Sequence, residues 1–198
     1  MMTESAQFVP SSFTSTRVWV LQEDVTRNLV VQRKEPDTNA VSGFLSYFDA
    51  LLEALFLKNA SGLRCMPVPA SRFDTQPFRS GNGHAIALHM GFAASQKRLI
   101  LNRDNQLSRI TMTVRWASDH DGLELPAYAV AEFARLYEAA GIFAWREMFC
   151  DTDWSQEKLD RVTAQMELPV IPWRKVRADQ CALLNSESGH WHFVPLKV

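Results

Sequence analysis

The succession of helix-type and strand-type periods along this chain predicts an α+β fold, a largely antiparallel sheet packed against one long amphipathic helix with two further helices. Three observations carry that expectation. The stretch AVSGFLSYFDALLEALFLKN, Ala40 to Asn59, sets Val41, Phe44, Leu45, Phe48, Leu51, Leu52, Leu55 and Phe56 at steps of three and four, the period of one helix face. SRITMTVRW, Ser108 to Trp116, alternates instead, with Ile110, Met112, Val114 and Trp116 facing one way and Arg109, Thr111, Thr113 and Arg115 the other. The whole chain reads β-β-α-β-β-β-α-α-β-β, joined by short polar connections that suit antiparallel neighbours.

Residues 1–15 are rich in Ser and Thr without a period and read as a flexible arm, leaving 16–198 as a single α+β domain. Arg17–Leu21 and Asn28–Lys34 are β-branched runs around the polar EDVTR, a hairpin signature. EPDTN then leads into the helix, with Asn39 as its cap, Lys58 at the negative end of its dipole and Gly62 where the chain reverses. Eight large apolar side chains on one stripe, at ~1.5–3 kcal/mol each when fully buried, make it the core helix.

Next comes the irregular, proline-rich RCMPVPASRFDTQPFRSGNG, with a short edge strand over Cys65–Val68. His84–Phe92, Lys97–Asn102 and Ser108–Trp116 follow as an antiparallel meander. ASDHDGLEL is a loop. Pro126 opens a helix that ends at Gly141, with Val130, Phe133, Ala134 and Tyr137 inward. Ile142–Phe149 reads equally as strand or helix. Asp153 and Gln156 form a capping box for a helix with Leu159, Val162 and Met166 inward. LPVIPW breaks that helix, and the tail forms two strands around the turn Ser186–Gly189.

Composition narrows the function classes. Of 198 residues, 46% are hydrophobic and 22% charged, ordinary for a soluble globular chain, and the net charge of −1 leaves no duplex-DNA footprint. No apolar run reaches the ~20 residues that span a bilayer, so a membrane is not expected as a partner. The N-terminus lacks the basic and apolar regions of a secretory signal. Three cysteines without a CxxC pairing fit reduced thiols and a cytoplasmic location.

Several constellations are candidates for chemistry. His190 and His192 lie two apart on a strand, so both rings leave one face and can ligate a metal. Asp119, His120 and Asp121 would complete such a site, or act as an acid–base cluster. No GxSxG elbow or cysteine motif supplies a nucleophile. Ser80-Gly81-Asn82-Gly83-His84 lacks the lysine of a phosphate loop and precedes a strand, so it reads as a bend. No cofactor motif appears. The face Arg109, Thr111, Thr113, Arg115, joined by His89, offers phosphate-gripping groups but no aromatic rings for stacking bases. Six Trp and twelve Phe are a generous stock. Those in irregular segments single out Phe73, Phe78 and Arg79, and Trp173, Arg174, Lys175 and Arg177, as a partner surface.

The strand–helix–strand run Asn28–Val68 and the ending NSESGHWHFVPL resemble the layout and tail of the Cas6-type CRISPR RNA-processing proteins. That resemblance covers about a quarter of the chain and implies a ferredoxin-like fold and RNA hairpin binding. The Arg-dense helix that some of those proteins lay into an RNA groove is missing here, and the resemblance assigns no catalytic residue. The expected function is a non-catalytic binding protein, a subunit or inhibitor within a larger protein or ribonucleoprotein assembly. RNA binding or processing is the alternative, and a metal-dependent hydrolase the second.

Overall fold

The computed structural model describes residues 17–34, 38–73, 76–80, 83–116, 125–150, 157, 160 and 168–196. The expected N-terminal arm, the Asp119–Asp121 loop and nearly all of the helix after Asp153 lie outside them. The fold is α+β. Eleven strands join in one mostly antiparallel sheet. They are β1 (Trp19–Glu23), β2 (Val31–Lys34), β3 (Thr38–Phe44), β4 (Cys65–Pro69), β5 (Arg79–Ser80), β6 (Gly83–Ser95), β7 (Arg98–Leu101), β8 (Arg109–Trp116), β9 (Val170–Pro172), β10 (Gln180–Leu184) and β11 (Trp191–Pro195). The helices with described bounds are α1 (Tyr47–Ser61), α2 (Ala127–Ala139) and α3 (Trp145–Cys150). No helix among the described residues is long and apolar enough to cross a membrane.

The helix expected from Ala40 begins instead at Tyr47. Ala40–Phe44 belongs to β3, between β1 and β6. A strand buried on both faces reads as an unbroken apolar run, which periodicity alone does not separate from a helix. The cap is accordingly Ser46, not Asn39: its hydroxyl accepts from the Asp49 N–H at 3.3 Å. The other end is as expected. Gly62 sits in the left-handed region at φ 72° and its N–H reaches the Lys58 carbonyl at 3.0 Å.

β3 and β4 flank β1 and both run antiparallel to it. α1 therefore connects two parallel strands across an inserted third, a split β-α-β unit. The turn between β1 and β2 forms, with the Glu23 N–H on the Asn28 carbonyl at 2.9 Å. After a single bridge at Gln22–Leu29, however, β2 leaves to pair with β3, so the hairpin is only begun. The meander is also rearranged. β6 runs thirteen residues rather than the expected nine, which leaves room for β8 beside His84–Phe92 and β7 beside Ala94–Ser95 on the same strand.

Alternation along the strands divides the core. Val18, Val20, Ile86, Leu88, Met90 and Val114 meet α2 and α3 through Val130, Phe133, Tyr137, Trp145 and Phe149. Trp19, Leu21 and Phe44 meet Ala50, Ala54 and Leu57 of α1. Phe92, Leu99, Ala182 and Leu184 meet Phe48 and Leu52 of the same helix. Helices thus cover both faces of the sheet.

One extra residue adjusts this division. Opposite β8 the register steps from His89↔Thr111 to Gly91↔Ile110, a bulge at Met90 that brings His89 and Phe92 onto one face, under α1. Gly91 carries φ 156°, and a Cβ there would stand 2.4 Å from Cys181 Sγ and 3.0 Å from the Ala182 carbonyl oxygen. Because backbone cannot swing aside as a side chain can, Gly91→Ala should destabilise the fold by about 2–4 kcal/mol. Urea unfolding of the variant checks this, and a loss below half a kcal/mol would contradict the bulge geometry.

Candidate functional site

α1 turns an unexpected face to the sheet. The apolar stripe predicted Leu51 and Leu55 inward, yet both are half-buried, whereas Asp49 and Glu53 are buried. At about 100° per residue, Asp49, Glu53 and Leu57 occupy the middle of the buried arc, roughly a third of a turn from the predicted stripe. Two carboxylates four residues apart therefore look into the core.

What answers Glu53 is Arg109 on β8. Its Nε lies 3.7 Å from Glu53 Oε1, and the two side chains are 9% and 3% exposed. The face Arg109, Thr111, Thr113, Arg115 is thus not the open sheet surface the alternation implied. Arg109 lies under α1, Thr111 and Thr113 are half-buried, and only Arg115 is exposed. The Arg109 guanidinium also rides 5.7 Å above the Phe44 ring, a favourable cation–π placement. Phe44 in turn packs on His89 at 5.1 Å, and His89 on Phe92 at 4.4 Å.

The pair is incompletely satisfied. Glu53 Oε2, Arg109 Nη1 and both ring nitrogens of His89 are buried without a hydrogen-bond partner. Burial pushes the Glu53 carboxyl up while Arg109 pulls it back. Burial, with the Arg109 charge beside it, holds His89 well below the ordinary histidine range, so its ring is neutral. Asp49, wholly enclosed, is pushed up to about 7 by burial. Burial also lifts Cys65 to about 11 and Cys181 to about 12, so neither is a thiolate at neutral pH.

Glu53 and Arg109 line a cleft of about 550 Å³. Glu23 and Leu29 from the β1–β2 turn form one wall, and Asn102, Asp104 and Leu107 from the β7–β8 turn the other, with Leu57 of α1 between. The β7–β8 turn is held by Asn102 Oδ1, which accepts from the N–H groups of Asp104 and Gln106, each at 2.9 Å.

The expected partner surface divides in two. Phe78 is buried in the core and Phe73 packs half-buried against it, which leaves Arg79 as the exposed member of that group. Arg79 pairs with His84 at the start of β6, whereas Trp173 packs beside Ala93 near its end, about 30 Å away at ~3.3 Å per residue. Trp173 is half-buried between two guanidiniums, Arg103 at 4.7 Å and Arg174 at 5.7 Å from its ring centre. Arg174, Lys175 and Arg177 are exposed around it.

The histidine pair sits at the start of β11, His190 exposed and His192 half-buried, beside Trp191 and Phe193 packed towards α1. Among the described residues no three His, Cys, Asp or Glu side chains gather to hold a metal ion, and Asp119, His120 and Asp121 lie outside those residues. Sequence reasoning missed Glu53, Asp49 and the cleft. The signal was present: FDALLEALF carries two acids four apart inside an otherwise apolar run, and acids placed there are either solvated or paired.

No protein-family model matches the chain, and the curated proteins and solved structures return no match either. The likeness to Cas6-type proteins rests on the sequence letters alone.

Removing Glu53 strands a buried guanidinium. Glu53→Ala should cost about 3–5 kcal/mol, and the double change Glu53→Leu with Arg109→Met markedly less. Urea titrations of the three variants decide it, and equal losses would show that the two groups act independently. pH separates Asp49 from His89. Asp49 binds its proton more tightly folded than unfolded, so its contribution falls as pH rises from about 4 to about 7. His89 does the reverse, and its contribution is lost as pH drops below about 6.5. Asp49→Asn should therefore stabilise the protein more at pH 7 than at pH 4. His89→Phe should stabilise it more at pH 5 than at pH 8. Melting temperatures across that range measure both, and parallel curves for variant and wild type would refute the assignment.

Proposed function

We propose that the protein is a non-catalytic binding protein, a subunit or inhibitor in a larger assembly, and that it grips an acidic segment of a protein partner through Trp173–Arg177. The observation that supports this most directly is the Trp173 ring set between the guanidiniums of Arg103 and Arg174, with Lys175 and Arg177 exposed alongside. Stacking on the ring holds each guanidinium plane while leaving its N–H groups available for carboxylates. Trp and Arg are also the residues that most often dominate interface energetics. The high thiol values of Cys65 and Cys181 fit a protein that performs no thiol chemistry. The same reading puts the chain in the cytoplasm, where Cys65 and Cys181 stand as free thiols.

RNA is the second reading, favoured by the same ring. A tryptophan flanked by arginines also stacks an unpaired base, with cations at hand for the backbone. The two readings part on nuclease treatment and on the probe chosen.

Arg174→Glu, Lys175→Glu and Arg177→Glu combined should abolish co-purification of the partner from the native cell while leaving the melting temperature unchanged. Capture should also weaken as salt rises from about 0.05 to 0.5 M. A glutamate-rich peptide should bind the wild type at least about tenfold better than the variant, a gap of ~1.4 kcal/mol. Partner retention by the triple variant would overturn the proposal. Binding that survives only for single-stranded RNA, and vanishes from the lysate after nuclease, would transfer it to the second reading.

A further inference from the structure

We infer that the cleft over Glu53 is a binding site for a small aliphatic amine, the ammonium-bearing class that includes polyamines and basic amino acids. It is separate from the Trp173 surface and rests on different residues. Its volume of about 550 Å³ lies within the range of small-molecule sites, ~300–1,000 Å³.

The chemistry of the wall selects the ligand. Glu23, Glu53 and Asp104 stand against Arg109 alone, three acidic residues to one base along the lining. Glu53 is 2% exposed and its Oε2 has no partner. A buried carboxylate oxygen without a donor is costly, and an ammonium group entering the cleft supplies that donor. Leu29, Leu57 and Leu107 line the same space and suit the methylene chain that separates charges in such amines. Arg109 Nη1, the unused donor on the floor, adds a place for a carboxylate, which basic amino acids have and polyamines lack. A basic amino acid therefore pairs both orphaned atoms of the Glu53–Arg109 contact and a polyamine only the Glu53 oxygen, so an amine with a carboxylate is held more tightly than one without.

Calorimetric titration of the full chain with lysine, arginine and spermidine, and with 1-hexanol as the control that keeps the aliphatic chain but has no ammonium group, tests this. Saturable binding by at least one amine and none by 1-hexanol is expected, with lysine or arginine ahead of spermidine because Arg109 takes the carboxylate. Glu53→Gln should weaken the amine roughly tenfold or more, about 1.4 kcal/mol. Because that variant alters a buried ion pair and costs stability, Glu23→Gln with Asp104→Asn serves beside it: both residues sit at the rim, Asp104 exposed and Glu23 half-buried, and the pair of changes should weaken binding several-fold in a fully folded protein. The triple Arg174, Lys175, Arg177 charge reversal should leave amine binding intact, which separates failure here from failure of the partner surface. No saturable heat from any of the amines at about 10 mM, or equal binding by wild type and the rim variant, would overturn the inference.

Discussion

A single long strand interrupted by one extra residue constrains the rest of this molecule. β6 offers its edges to β3, β10, β8 and β7, more neighbours than a strand of ordinary length can serve. The bulge at Met90 then reverses which side the following residues face. Phe92 lands on the α1 side with His89, opposite Arg109, which the regular alternation of β8 already places there beside Thr111. A guanidinium under a helix needs a carboxylate above it. Glu53 meets that need.

The ionic pair also explains the rotation of α1. Apolar residues occur almost all round this helix, with Leu51, Leu55 and Phe56 as greasy as Phe48, Leu52 and Leu57. Burial of hydrocarbon alone discriminates poorly between such faces, since each returns a similar free energy per unit area. Turning Leu51 and Leu55 inward would leave Arg109 buried without its counter-charge, a loss of several kcal/mol. The charged contact thus selects one rotation out of several that hydrophobic burial would accept. Its geometry, one oxygen and one nitrogen left over, is what opens the floor of the cleft to a ligand.

The two proposed recognition surfaces meet at the β7–β8 turn. Asn102 and Asp104 face the cleft while Arg103, between them, reaches Trp173. Adjacent residues of a turn held by the Asn102 side chain thereby serve opposite electrostatic needs, an acidic cleft on one side and a basic aromatic platform on the other. The proposed amine site and the proposed partner surface thus lie within a few residues of one another.

Local chemistry determined much of this protein from the sequence alone. The alternation of Ser108–Trp116, the edge strand at Cys65–Val68, the Gly62 stop and the Ser186–Gly189 turn each follow from the steric needs of a few neighbouring residues. The α+β class follows from their order. What only the tertiary structure decided is everything set by contacts distant along the chain. Ala40–Phe44 is a strand because β1 and β6 flank it, and no feature of those five residues announces that company. Arg109 is interior because α1 covers the face that it shares with Thr111 and Thr113, and the bulge on the neighbouring strand brings Phe92 opposite it. Glu53 reads as a surface acid until Arg109 is opposite, since its burial is tolerable only once a partner fifty-six positions away has been brought within an ion-pair's reach.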